Sequence, residues 1–306
     1  MNSVCGVAWR DSYHVLRVYF SGILFRGFIM KPLFENQVVI ITGAGRGIGA
    51  AAAKLFAQEG AKVVVNDLDA AALSNIVSEI EASGGTVLPA PGSVTDPACP
   101  AQLMKRTIDA FGKINVLVNN AGYTWDGMIH KMTDEQWQAI LDVHTGAPFR
   151  MIRAIAPYMR DPAKAEIDQQ GAPQENRCII NISSTSGLHG NIGQINYATG
   201  KLGIVGLTKT VAKERGPLGI RCNAVAFGFI DTRLTRSKEN RESIKIGERD
   251  VALGIPEEIR RDASTRSPLG RPGAPEEAAA GIIMMASPLA SYITGHTLEV
   301  TGGAGI

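Results

Sequence analysis

Residues 38–49 read VVIITGAGRGIG. The run begins with four β-branched residues, Val38–Ile41, which is typical of a strand buried in a parallel sheet. A glycine-rich turn follows, and Ile48 then opens a segment whose apolar residues recur at helical spacing. The order of strand, glycine loop and helix is the first half of a βαβ unit, so this stretch predicts an α/β fold.

The loop has glycines at 43, 47 and 49, and their spacing is a variant of the dinucleotide-binding fingerprint. Glycines let the backbone turn sharply and approach a pyrophosphate. The helix N-terminus then offers free N–H groups and a positive dipole end to that anion. The residues predicted to bind a dinucleotide here are Gly43, Arg46, Gly47, Ile48 and Gly49.

A second cofactor signal is Asp67, which ends the next predicted strand, 18 residues after Gly49. An acid at this position accepts hydrogen bonds from the adenosine ribose hydroxyls and repels a 2′-phosphate. Arg46 acts in the opposite direction, because a guanidinium in the phosphate loop pairs with a 2′-phosphate. Asp67 stands at the strand end itself, so the predicted cofactor is NAD, with NADP as the alternative.

From residue 37 onwards, predicted strands and helices alternate. After Val63–Val65, strands are predicted at 86–89, 114–118, 178–183, 220–226 and 297–300. Helices are predicted at about 69–83, 97–111, 133–159, 197–215 and 275–287. Repeated βαβ units require a parallel sheet with helices on both faces. The prediction is a single doubly wound (Rossmann) domain over residues 35–306, with a parallel seven-stranded sheet.

Three segments depart from this alternation. Residues 160–177 are polar and contain two prolines, so they are interpreted as a surface insertion. Residues 233–266 are charged and weakly periodic, which indicates a mobile helical flap. Residues 1–34 are predicted to be a poorly ordered N-terminal extension, either a targeting segment or a non-native one with Met30 as the true start.

The N-terminal segment and the cysteines give predictions about a membrane span and about the cellular compartment. The uninterrupted apolar run Val18–Phe25 is far shorter than the roughly 20 residues of a spanning helix, so no membrane span is predicted. The four cysteines form no C-x-x-C pair, which favours a reducing compartment. The predicted location is cytoplasmic, or mitochondrial if residues 1–34 are a targeting segment.

Charge and ligand spacing exclude two classes of partner. The formal net charge is +2, from 31 basic and 29 acidic residues, and no basic patch with interleaved aromatic residues is present. Nucleic acid is therefore not an expected partner. Neither the cysteines nor the five dispersed histidines follow metal-ligand spacing, so no metal site is predicted.

Further motifs resemble the short-chain dehydrogenase/reductase family over residues 37–303. They are TGAGRGIG (42–49), NNAG (119–122), Ser184, YATGK (197–201), GFIDT (228–232) and PLGRPGAPEE (268–277). Within the family the chain is most similar to 3-oxoacyl-[acyl-carrier-protein] reductases and 3-hydroxyacyl-CoA dehydrogenases. The resemblance implies an NAD(P)-dependent oxidoreductase that interconverts a secondary alcohol and a ketone, with a 3-oxoacyl or 3-hydroxyacyl thioester as the first substrate hypothesis.

The proposed chemistry uses three residues of these motifs. Tyr197 and Lys201 are four residues apart, so they share one helix face, and a neighbouring ammonium is expected to lower the pKa of the phenol. Tyr197 then exchanges a proton with the substrate oxygen while hydride moves to or from the nicotinamide. Ser184 orients that oxygen. The resemblance also implies that Lys201 holds the nicotinamide ribose.

The resemblance implies the remaining site residues. Cofactor contacts are expected at Val94, Asn120, Ala121, Gly122, Ile230 and Thr232, in addition to Tyr197 and Lys201. His144 stands where the family usually has an asparagine that anchors a water-linked proton relay from the lysine. Its imidazole either fills that catalytic role or merely packs, and the sequence leaves both readings open.

Alternatives remain at the level of substrate and activity. One is a short-chain dehydrogenase of another small alcohol or ketone, such as a sugar, steroid or polyol. Another is a catalytically idle dinucleotide-binding scaffold, against which the intact Ser184, Tyr197 and Lys201 argue. The resemblance also implies a homotetramer formed through helices 133–159 and 197–215 and the C-terminal strand. The apolar residues of those helices suit the chain's own core equally well; they are Ile140, Val143, Ile204 and Val205.

Overall fold

The computed structural model describes residues 14–20, 23–29, 31–246 and 249–305, and the side chains from residue 31 onwards except those of 246, 263 and 264. The strands are β1 (His14–Phe20), β2 (Ile23–Ile29), β3 (Val38–Thr42), β4 (Lys62–Asp67), β5 (Thr86–Pro91), β6 (Val116–Asn119), β7 (Arg177–Ser184), β8 (Ile220–Phe227), β9 (Ser243–Ile246), β10 (Arg249–Ala252) and β11 (Thr297–Val300). The helices are α1 (Gly47–Gln58), α2 (Ala70–Ala82), α3 (Cys99–Phe111), α4 (Asp134–Leu141), α5 (Ala147–Gln170), α6 (Thr185–His189), α7 (Ile195–Arg215), α8 (Glu257–Arg266) and α9 (Pro275–Ala286).

Seven of these strands form one parallel sheet in the order β11-β8-β7-β6-β3-β4-β5, which confirms the predicted fold class. Its central strands are buried on both faces because helices cover each side. Alternate residues of β3 enter different cores. Val39 and Ile41 pack in the cluster that includes α1, α2 and α9, whereas Val38 and Ile40 pack in the cluster that includes α3, α5 and α7.

The strand order of the sheet determines where a ligand can bind. Strand β3 pairs with β4 on one side and with β6 on the other. The strand order therefore reverses at β3, and a crevice opens outside the carboxyl ends of β3 and β6. In open α/β sheets, ligands bind at this switch point.

The opposite edge of the sheet, at the amino ends of the strands, is closed by two arginines. Arg177 begins β7 and makes two hydrogen bonds to Glu166, at 2.5 and 2.8 Å. Arg221, near the start of β8, donates to the carbonyls of Met285, Ala286 and Ser287 at the end of α9. Both arginine side chains are buried, so this amino edge is a fixed part of the protein interior.

Two predicted segments have a different structure. Helix α5 does not end near 159 but continues to Gln170, across Pro157 and Pro162 and through most of the predicted insertion. Tertiary contacts hold this extension, because Ala163 is buried and Glu166 pairs with Arg177. The predicted helical flap at 233–266 contains the antiparallel pair β9–β10 before helix α8.

The N-terminal prediction stays a prediction, since residues 1–13, 21, 22 and 30 lie outside the described part of the chain. Strands β1 and β2 pair antiparallel. Phe34 is fully buried, and its ring meets the edge of Phe56 at a centroid distance of 4.8 Å. In the described ranges, no helix is long and apolar enough to cross a membrane.

Candidate active site

The glycine loop between β3 and α1 has the backbone that its sequence requires. Gly43 and Gly47 have φ angles of +64° and +55°, which favour glycine. A Cβ on Gly49 would lie 2.1 Å from the carbonyl oxygen of Gly43, so the first turn of α1 rests directly on the loop. The first turn of α1 carries no acidic residue that would oppose an anion. This cradle fits the pyrophosphate of a dinucleotide.

Asn120 and Ala121 brace that loop from the end of β6. The Asn120 amide donates to the carbonyls of Thr42 and Gly43, both at 3.0 Å. The Thr42 hydroxyl accepts the backbone N–H of Asn120 and of Ala121 and donates to Val118. Thr42 is a connecting residue that sequence reasoning missed, because a threonine at a strand end carries no motif of its own.

Around Asp67, both carboxylate oxygens have a protein partner. One accepts the backbone N–H of Gly45 at 2.9 Å, and the other accepts that of Asp69 at 3.0 Å. Gly45 allows this approach, because a Cβ there would lie 2.9 Å from the Asp67 oxygen. Arg46, the competing cofactor residue, is paired with Asp69 at 2.6 Å. Asp69 had no signal in the sequence that distinguished it from a loop acid.

Of the other predicted cofactor residues, Thr232 lies near the loop. Its methyl carbon is 3.6 Å from a Cβ placed on Gly47, and both residues line a cavity of about 500 Å³. Val94 is buried and lines a small space with Ala121. The Ile230 side chain is buried and would be 2.6 Å from a Cβ on Gly273.

The structure brings Ser184, Tyr197 and Lys201 together. Ser184 is the last residue of β7, and its hydroxyl is close enough to the Tyr197 phenol to lower the pKa of that phenol. The Lys201 Nζ lies 5.5 Å from the centre of the Tyr197 ring and donates to the Ile182 carbonyl at 2.8 Å. Helix α6 packs so closely that a Cβ on Gly187 would lie 2.7 Å from the Lys201 backbone.

The pKa of Tyr197 is shifted in the direction opposite to the expected one. Burial raises the pKa of Tyr197 to about 12, and the negative charge of Asp126 adds to the rise while the Ser184 hydroxyl opposes it. Burial lowers the pKa of Lys201 to about 7. In the protein alone, burial therefore outweighs the expected lowering of the pKa of Tyr197 by Lys201. Tyr197 is a protonated phenol at neutral pH.

His144 lies directly against Tyr197. The two rings meet edge to face, with centroids 4.9 Å apart and planes at 87°. The His144 Nε2 donates to the Tyr123 carbonyl at 2.8 Å, since a carbonyl only accepts, and Nδ1 is therefore an acceptor. Nδ1 is buried without a hydrogen-bond partner in the described structure. Burial, and then the charge of Lys201, hold the pKa of His144 well below its usual value, so the ring is neutral.

Local backbone geometry presents this histidine. Residues Asp142–Gly146 form a single π-helical turn between α4 and α5, and His144 is its central residue. Such turns are frequent at functional sites. Gly122, expected to contact the cofactor, makes room for the ring, because a Cβ there would lie 2.2 Å from the His144 Cε1.

Two hydrogen bonds near Tyr197 were missed by sequence reasoning. The Gln194 side chain donates to Asp126 at 3.1 Å, and the Gly127 N–H donates to the Gly193 carbonyl at 2.8 Å. These bonds tie the loop after β6 to the start of α7, which carries Tyr197. Within the described residues, no group of three or more His, Cys, Asp or Glu side chains is arranged to hold a metal ion.

Comparison with known proteins adds to this geometry. A family model described as short chain dehydrogenase matches residues 37–243. The 3-oxoacyl-[acyl-carrier-protein] reductase FabG of Thermotoga maritima is 39% identical over 269 residues, covering 88% of this chain and 98% of that protein. The Synechocystis 3-oxoacyl-[acyl-carrier-protein] reductase is 38% identical, covering 87% and 96%. The short-chain reductase protein NovJ of Streptomyces niveus is 36% identical, covering 88% and 94%.

These matches extend over most of each protein, and the glycine cradle with its strand-end acid provides the fitting dinucleotide site. The chain belongs to the short chain dehydrogenase family and is an NAD(P)-dependent oxidoreductase.

Proposed function

We propose that this protein interconverts a 3-oxoacyl thioester and its 3-hydroxyacyl form with NAD(H), using Ser184, Tyr197 and Lys201. The observation that carries the proposal is the convergence of the Ser184 hydroxyl, the Tyr197 phenol and the Lys201 ammonium at the carboxyl edge of the sheet. The substrate class rests on the names of the 3-oxoacyl-[acyl-carrier-protein] reductases to which the chain is similar.

In the proposed mechanism, a bound nicotinamide dinucleotide supplies or accepts the hydride. The hydroxyls of Ser184 and Tyr197 hydrogen-bond the substrate oxygen and orient it. In the reduction, Tyr197 gives its proton to that oxygen as negative charge develops there. The raised pKa of Tyr197 keeps that proton available at neutral pH. The neighbouring Lys201 ammonium stabilises the phenolate that remains.

His144 has the features of a relay partner. Its Nδ1 is an acceptor with no partner in the described structure, and the charge of Lys201 acts on its ring. We propose that Nδ1 accepts a hydrogen bond from the Lys201 side, directly or through a solvent molecule, and so links Lys201 to Tyr123. In this proposal His144 both links Lys201 to Tyr123 and packs against the Tyr197 ring.

The preference for NAD(H) over NADP(H) is part of the proposal. It is supported by Asp67 at the end of β4 and by the pairing of Arg46 with Asp69. The test is a titration of NADH and NADPH against the protein and its Asp67→Ala variant. We expect tighter NADH binding that weakens in the variant. Tighter binding of NADPH by the unmodified protein would contradict the preference and would favour a biosynthetic reductase.

The decisive test of the chemistry is Tyr197→Phe. This change removes the proton donor and keeps the ring against His144, so turnover should fall by roughly 10² to 10⁴. Tyr158→Phe, a half-buried tyrosine on α5, is the matched control and should retain full turnover. Turnover retained by Tyr197→Phe would show that the assigned acid–base residue is wrong.

Substrate identity is tested with a panel. The proposal expects the highest kcat/KM with 3-oxoacyl or 3-hydroxyacyl thioesters on CoA or acyl carrier protein. A sugar, steroid or polyol turned over faster would support the alternative dehydrogenase, and NovJ shows that the similar proteins include one named only as a short-chain reductase. Dinucleotide binding without turnover of any substrate would support an idle scaffold.

A homotetramer is also proposed. The four apolar residues first considered for its interface are buried in the chain's own core. Other large apolar side chains are at least half exposed on α5, α7, α9 and the segment before β11; they are Phe149, Leu202, Met284, Leu289 and Tyr292. These residues support association with further copies of the chain. Sedimentation as a monomer at micromolar concentration would contradict the tetramer.

The proposed location is the cytoplasm. Cys99, Cys178 and Cys222 are free and buried, which suits a reducing compartment. A mitochondrial location depends on residues 1–34 as a targeting segment. Mass spectrometry of the endogenous N-terminus tests this, since a mature protein that begins at residue 1 would exclude both cleavage and a start at Met30.

A further inference from the structure

Asp69 has two separate functions in the structure. One carboxylate oxygen accepts the backbone N–H groups of Ala71 and Ala72, both at 3.0 Å, and so caps the N-terminus of α2. The other oxygen accepts from the Arg46 guanidinium at 2.6 Å. The helix cap fixes the position of the carboxylate, and the carboxylate then holds the arginine.

Arg46 is the phosphate-loop cation whose guanidinium would favour a 2′-phosphate, in opposition to Asp67. Both members of its pair with Asp69 are less than half exposed, at 46% and 40%. A guanidinium is the preferred protein partner of a phosphate, because its planar N–H groups match the phosphate oxygens. Bound to Asp69, this guanidinium has one of its nitrogens already engaged and its charge balanced.

Other cations at the same cavity are also paired. Lys54 lies 3.0 Å from Glu79, and Arg233 lies 2.9 Å from Glu242. On the strand side, Asp67 places a second carboxylate against the loop. A 2′-phosphate at this end of the crevice would therefore meet two carboxylates and an engaged arginine.

We infer that Asp69 is a specificity-determining residue, which disfavours NADP(H) by holding Arg46 in an ion pair. This inference deepens the proposed NAD(H) preference and rests on it. It assigns the discrimination to a pair of residues, Asp67 and Asp69, in which Asp67 reads the ribose and Asp69 controls the loop arginine.

The test is Asp69→Ser. Serine remains a favoured N-cap residue, so α2 keeps its cap, but its side chain is too short to reach Arg46. An exposed ion pair contributes up to about 1 kcal/mol, which corresponds to about a fivefold change in Kd. We expect NADPH to bind up to about fivefold more tightly to Asp69→Ser, with the Kd of NADH changed by less than about twofold.

Two controls separate the cause. In the double variant Asp69→Ser/Arg46→Gln the gain in NADPH affinity should disappear, since no guanidinium is left to bind the phosphate. Glu79→Gln breaks a comparable ion pair at the same cavity and should leave the NADPH Kd unchanged. Binding is followed by fluorescence titration, and an unchanged Tm for Asp69→Ser confirms that the cap of α2 is intact.

The inference is overturned if Asp69→Ser binds NADPH no more tightly than the unmodified protein, or if the gain persists in the double variant. The proposed function fails by different measurements. The ratio of the NADH and NADPH dissociation constants of the unmodified protein decides the cofactor preference, and the Tyr197→Phe comparison decides the chemistry.

Discussion

Lys201 is a titratable side chain inside the protein, and this position costs stability. It is 4% exposed, and burial lowers its pKa to about 7, from an ordinary value of 10.5. Between these two pH values the unfolded chain binds a proton that the folded chain does not. The folded state is therefore disfavoured below pH ~10.5, and the penalty grows as the pH falls until it is complete near pH ~7.

Replacing this residue by methionine should expose that penalty. Lys201→Met keeps the apolar stem without the charge, so we expect a higher Tm than the unmodified protein at pH 6–7 and a difference that shrinks towards pH 10. Turnover should be lost. Thermal unfolding of both proteins at several pH values is the measurement, and a Tm difference independent of pH would contradict the pKa assigned to Lys201.

The contact between Gly122 and His144 gives a second prediction for single residues. A Cβ on Gly122 would lie 2.2 Å from the His144 ring, so Gly122→Ala should destabilise the protein by about 1–3 kcal/mol and reduce kcat. Urea unfolding measures the change. In the background of His144→Ala, which vacates the space, the same substitution should cost much less. Equal costs in the two backgrounds would show that the ring is not the obstacle.

Among the elements, α5 depends on the ion pair between Glu166 and Arg177. The Arg177 hydrogen bonds lower the pKa of Glu166 to about 2. A carboxylate with a lowered folded-state pKa stabilises the protein above its unfolded pKa of ~4.5, and this contribution is lost as the pH falls from ~4.5 through 2. The pair is thus an acid-sensitive attachment of the C-terminal half of α5.

Glu166→Gln should destabilise the protein by about 2 kcal/mol at pH 7, because the buried Arg177 keeps its charge without a carboxylate. The difference from the unmodified protein should shrink as the pH falls below ~4.5. Asp161→Asn breaks an exposed pair with Arg160 on the same helix and should change stability by less than about 0.5 kcal/mol. Similar losses in the two variants would contradict a special role for Glu166.

The elements differ in how far the sequence predicts them. Helix α2 and strand β11 lie within one residue of the predicted bounds, because glycines and clear periodicity mark their ends. The extension of α5 could not be predicted, since prolines at 157 and 162 argue locally for an end and the contact with Arg177 comes from another element. The π-helical turn at 142–146 could not be predicted either. The spacing of apolar residues along the sequence does not distinguish such a turn from a continuous α-helix.

For the whole molecule, the boundary of the folded unit can be tested by truncation. A chain that begins at Met30 keeps Phe34, which is buried against Phe56, and keeps Leu33, whose N–H donates to Glu59. We expect it to unfold within about 2 °C of the full chain. A chain that begins at Glu35 loses the Phe34 ring and should be destabilised by about 3 kcal/mol. Equal stability of the two truncated chains would place the boundary at residue 35, as the sequence predicts.

The convergence of the three proposed catalytic residues was predictable at this scale, but their acid–base state was not. Motifs identify Ser184, Tyr197 and Lys201 because spacing along β7 and α7 fixes their approach. The pKa of Tyr197 depends on its burial, to which the His144 ring of the π-helical turn contributes by contact, and on the charge of Asp126; both residues are far away in the sequence. A motif specifies which side chain is present, whereas the pKa of that side chain depends on its surroundings in the folded protein.

The arginines at the amino edge of the sheet have a consequence for how this protein tolerates variation. Arg177 and Arg221 hold that edge in place, and the groups proposed to react lie at the opposite, carboxyl edge. Substitutions at one edge should therefore change how much folded enzyme accumulates in a cell, and those at the other should change what each folded molecule does. In a library of single substitutions scored for both abundance and turnover per molecule, changes at the amino edge would alter abundance and changes at the carboxyl edge would alter turnover. New substrate preferences could then evolve in the carboxyl-edge loops without eroding the scaffold below them.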